Sequence, residues 1–84
     1  MARLMLGNVE PGTTDDEIRD FLVKYGFPPY DGIEHEPGDG SRPAALVTFT
    51  GLEPAALFTL QQRVHDMFWK SRKLTARIIH DRYA

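Results

Sequence analysis

At 84 residues, the chain has room for one thin core of two layers, since a domain this small hides only about two-thirds of its unfolded surface. The absence of cysteine excludes disulfides, thiolate metal sites and cysteine nucleophiles. A net charge of −2 argues against a dedicated nonspecific nucleic-acid binder, a class that is usually basic.

That charge is unevenly spread. Acidic residues gather before position 40, whereas "RVHDMFWKSRKLTARIIHDR" holds most of the Lys and Arg. The opening "MARLMLGNV" turns polar too soon for a signal sequence or a membrane span. With the missing cysteines, which fit a reducing compartment, this predicts a cytoplasmic protein without a membrane partner.

In chain order, "RLMLGNV" alternates around Leu4 and Leu6, with Val9 beyond, and predicts a first strand. Thr14 and Glu17 make an S/T-x-x-E capping box, and Asp15 and Asp16 suit the positive end of a helix dipole. Ile18, Phe21, Leu22 and Tyr25 form one apolar stripe; Gly26 supplies a stop, and Pro28-Pro29 forbids continuation.

A weaker strand is expected from Tyr30 to Glu36, centred on Ile33, and "PGDGS" is a turn. Ala44 to Phe49 alternates as a third strand. Pro54 opens a second helix whose buried stripe should be Leu57, Leu60 and Val64, helped by Ala56 and the Gln61 stem. "HDMFWKSR" then forms an aromatic-bearing connection, with Trp69 as half-buried packing, and "KLTARII" is a single last strand.

The order β-α-β-β-α-β defines an α+β, ferredoxin-like sandwich, read as a single domain over 1–84: a four-stranded antiparallel sheet with two helices on one face. The other face is open. His35, His65 and His80 lack metal-site spacing, Asp15 to Glu17 is a helix start, and Gly38 and Gly40 belong to a hairpin turn. No cofactor, metal or catalysis is expected.

Two stretches resemble the signatures of the RNA recognition motif (RRM) family. "LMLGNV" is similar to the RNP2 hexamer in Leu4, Leu6, Asn8 and Val9, with Met5 where a ring belongs. "RPAALVTF" resembles the RNP1 octamer, K/R-G-F/Y-G/A-F-V-x-F/Y. It keeps Arg42, Ala45, Val47 and Phe49 and departs at Pro43, Ala44 and Leu46. In "VHDMFWKSRKL", Ser71 stands in place of the family's glycine. The inward half of each motif survives and the outward, ring-bearing half is replaced.

The resemblance implies single-stranded RNA as the partner and the open sheet face as its site. The family stacks bases on the exposed rings, each worth about 1–3 kcal/mol, so losing two removes about 2–6 kcal/mol. Weak or atypical binding is the expectation. With the family's strand order (fourth, first, third, second), the basic part of the face carries Arg3 and Met5, then Arg42, Ala44 and Leu46, and Lys73, Thr75 and Arg77. Asn8 and Tyr83 complete the candidate site, and Glu34 and Glu36 make the far edge acidic. The alternative is a protein-interaction module using Met5 and Leu46, with Trp69 or Phe58 as further anchors. Monomer and weak dimer both fit.

Overall fold

The computed structural model describes residues 2–36, 38, 40 and 42–79. β1 (Ala2–Gly7), α1 (Asp15–Lys24), β2 (Gly32–Glu36), β3 (Ala44–Phe49) and α2 (Pro54–Val64) are followed by two short strands, β4 (Phe68–Trp69) and β5 (Arg72–Lys73), and by β6 (Thr75–Ile79). The sheet runs β2-β3-β1-β6 and is antiparallel throughout. This is the ferredoxin-like α+β layout, with β6 as its fourth strand.

β1 and β3 alternate buried and half-buried residues without a slip. Leu4 faces Val47 on one side and Ile78 on the other, and Leu6 faces Ala45 and Ala76. Onto this inner face pack Ile18, Phe21 and Leu22 of α1 and Leu57 and Val64 of α2, in one cluster that also takes Val9, Phe27 and Leu74. Each such buried Leu, Ile or Phe stabilises the fold by about 1.5–3 kcal/mol.

The expected capping box is present at α1. Thr14 Oγ1 accepts from the Glu17 N–H at 3.2 Å, and Glu17 Oε1 accepts from the Thr14 N–H at 2.9 Å. At the other end the Gly26 N–H donates to the Val23 carbonyl (3.1 Å) and the Phe27 N–H to that of Leu22 (3.0 Å), the Schellman pattern. It needs a left-handed residue, and Gly26 has φ 101°. Phe27 is thereby turned into the core beside Leu22.

Three expectations change. Tyr30 precedes β2; its hydroxyl donates to the Asp15 carbonyl at 2.9 Å, tying the loop to α1. Ala56 is exposed, because it leads the Leu57–Val64 stripe by one position. The third change concerns "KLTARII", which is not one strand. Lys73 pairs with Phe68 in the β4–β5 hairpin, and the sheet strand starts at Thr75. Lys70 and Ser71 turn that hairpin with φ of 55° and 65°, both positive as a type I′ turn demands.

The outer edge of β6 is covered from α2. Ala76 donates its N–H to His65 Nδ1 at 3.0 Å, and its carbonyl accepts from Gln61 Nε2 at 2.6 Å. Gln61 thus works through its amide, closing a strand edge that would otherwise offer pairing groups.

Candidate nucleic-acid interface

On the face away from the helices, strand register sets the neighbours. One row reads Glu34, Leu46, Met5, Arg77 across β2, β3, β1 and β6; the next reads Gly32, Thr48, Arg3, Ile79. Beyond them Glu36 faces Ala44, and Gly7 faces Thr75. Gly7 admits no side chain without displacement, since a Cβ there would stand 2.4 Å from Thr75 Oγ1.

The face is therefore graded in charge. Glu34 and Arg77 end one row three strand spacings apart, about 14 Å. That exceeds the Debye length of ~8 Å at physiological salt, so the acidic edge does little to neutralise the basic one. Met5, Leu46 and Ile79 are half-buried and stand apart from the core cluster. Among the described residues this face carries no aromatic ring.

Of the residues expected here, Arg3, Met5, Ala44, Leu46, Thr75 and Arg77 share the open face. Arg42 is exposed just ahead of β3. The Val9 N–H donates to the Pro43 carbonyl at 2.9 Å, which fixes Arg42 near the end of β1. Among the described residues neither Arg42 nor Arg77 makes an ion pair. Tyr83 lies outside the described residues.

Two residues take other places. Lys73 sits in β5, outside the four-stranded sheet, because the chain closes a hairpin before joining it. Asn8, at φ 60°, gives its amide to internal bonds: Nδ2 donates to the Lys73 carbonyl at 3.0 Å, and Oδ1 accepts from Arg72 Nη1 at 3.2 Å. Arg72 also meets Glu10 at 3.1 Å. Asn8 thus fastens the hairpin to the end of β1.

The rest of the hairpin divides by side. Trp69 stacks on Phe21 of α1, ring centroids 4.5 Å apart and 24° from parallel, so its packing role holds. Lys70 lies over the Trp69 ring and pairs with Glu17 at 2.8 Å. That contact and the Thr14 N–H hold the Glu17 carboxyl below its ordinary value. Phe68 points the other way and is 71% exposed. No motif marks Phe68 in the sequence, and its alternation with an inward Trp69 is the one signal available there. Phe58 is also exposed.

Two further groups are perturbed away from the sheet face. Asp31 is lowered by accepting from the Thr50 N–H and hydroxyl, at 2.7 and 2.8 Å. Tyr30 is raised by burial and by the negative charge of Asp15. His35 bonds Asp15 at the start of α1. Among the described residues there is no cluster of His, Asp and Glu fit to hold a metal ion, and no helix long and apolar enough to cross a membrane.

Solved structures that superpose on this chain include RRM domains. RRM3 of Pes4 superposes with a TM-score of 0.79 at 20% identity, covering 100% of this chain and 98% of that one. The RRM3 domain of Mip6 gives 0.72 at 17% identity, over 89% of this chain and 88% of that one. The RRM of Rna15 with bound RNA (GU) gives 0.67 at 17% identity, over 89% and 79%. No protein-family model and no curated protein matches the sequence. The chain has the fold of an RNA recognition motif domain, and at these identities the likeness is one of fold.

Proposed function

We propose that the protein is a single RRM-type domain that binds single-stranded RNA weakly, through cations on β6, β1 and β3 in place of stacked bases. The observation that carries this reading is the register. It sets Arg77 beside Met5 and Arg3 diagonally next to it on one open face, with Arg42 at the end of the neighbouring strand. In support, a neighbour of the same fold is described with bound RNA.

Phosphate contacts position a strand without reading it, so modest sequence preference is expected. Without sheet rings the affinity should fall short by about 2–6 kcal/mol of what two stacked bases contribute. The role is one of binding, with no reaction and no cofactor.

A second reading follows from Met5 standing directly opposite Leu46, with Ile79 diagonal to it. Such a patch on adjacent strands suits a protein partner. An NMR titration with a random single-stranded RNA pool separates the two. Shifts confined to β1, β3, β6 and the hairpin support RNA binding; no shifts at high RNA concentration reject it and favour the protein-docking reading.

A further inference from the structure

Phe68 and Lys73 form a pair that none of the packing explains. They stand directly across from each other in the β4–β5 ladder. The neighbouring Leu74 N–H donates to the Met67 carbonyl at 2.8 Å, which makes Phe68 and Lys73 the non-hydrogen-bonded pair, whose side chains stand closest. Trp69 takes the α1 side of the hairpin, so alternation turns Phe68 and Lys73 away from the helix layer, as the open sheet face is turned. Among the described residues the Phe68 ring stacks on no other ring, and the Lys73 ammonium has no ion pair and covers no ring.

The position of this pair matters as much as its exposure. Asn8 bonds the Lys73 carbonyl directly past the end of β1, and Val9 bonds the Pro43 carbonyl beside Arg42. Lys73 and Arg42 therefore flank the same end of the open face. A flat ring next to a cation is the local chemistry that single-stranded nucleic acid uses, the base stacking and the phosphate neutralised.

We propose that the hairpin supplies the stacking platform the sheet lacks: one base of a single-stranded RNA rests on Phe68, its phosphate meets Lys73, and the strand continues past Arg42 onto the β1–β6 cations. This rests on the RNA-binding reading above and extends its site beyond the sheet. The other aromatic of the hairpin has no such role, because Trp69 is held on Phe21.

The test is fluorescence anisotropy with a labelled random single-stranded RNA of about ten nucleotides, within the range of known single-strand sites. Phe68→Ala should weaken binding by about 5- to 150-fold and leave the salt dependence unchanged, whereas Phe68→Tyr should bind as the wild type does. Lys73→Met should flatten the plot of log affinity against log salt by about 0.7. On an abasic strand of equal length, Phe68→Ala and wild type should bind alike, which a merely structural role would not produce. Phe68 is exposed, so its variants should melt with the wild type.

Phe68→Ala binding RNA at wild-type strength would overturn the hairpin proposal. If Arg77→Glu then still weakens binding, the sheet reading survives alone. The reverse pair of results would leave the hairpin standing and remove the sheet. A wild-type protein that binds no RNA removes both.

Discussion

Replacing Leu46 with phenylalanine returns one ring to the sheet face and isolates what its loss costs. Leu46 stands between Met5 and Glu34 in its row and lies outside the core cluster, so the larger side chain meets solvent and the helices keep their packing. Aromatic residues suit strands, and substitutions at such positions usually change stability by about 0.5 kcal/mol or less. One base on one ring is worth about 1–3 kcal/mol, a gain of roughly 5- to 150-fold in affinity. Anisotropy titrations with random single-stranded RNA, paired with thermal melts, read the two effects separately. Leu46→Met offers no plane and should leave affinity unchanged. Equal affinities for Leu46→Phe and wild type would refute the view that missing rings limit binding at this face.

Two further predictions concern the scaffold. Ser71→Gly should stabilise the protein against urea by about 0.5–1 kcal/mol, since Ser71 holds a left-handed φ of 65° that glycine adopts without strain; a loss of stability would contradict the turn described. Stability should also decline in acid. Glu17 and Asp31 are held below their ordinary values of 4.5 and 3.8, so the unfolded chain takes up protons first. Their contribution is present above those values and fades as pH falls through the lowered ones. Melting curves between about pH 6 and pH 3 should show this, with a shallower decline for Glu17→Gln; parallel declines would contradict the Glu17 assignment.

Much of this architecture is legible in the residues because local and global signals agree. Thr14 and Glu17 announce the start of α1 and make the predicted bonds, and Gly26 ends it with the predicted backbone. Alternation in β1 and β3 separates core from open face without error. The hairpin was hidden for a physical reason. Strands of two residues have no measurable period, and their turn is built from Lys70 and Ser71, with no glycine to mark it. By local pattern Lys73 therefore reads as a sheet residue, and Phe68 carries no mark. The capture of Asn8 by Lys73 and Arg72 depends on residues more than sixty positions apart, which no local pattern encodes.

The proposed site holds RNA on the sheet by cations more than by rings, and the salt dependence of binding reads that most directly. With Arg3, Arg42, Lys73 and Arg77 each meeting a phosphate, log affinity should fall with log salt at a slope of about −2.8, becoming about −2.1 in Arg77→Gln. A slope near zero, unchanged in Arg77→Gln, or binding that resists salt and yields only to Leu46→Asp, would contradict it.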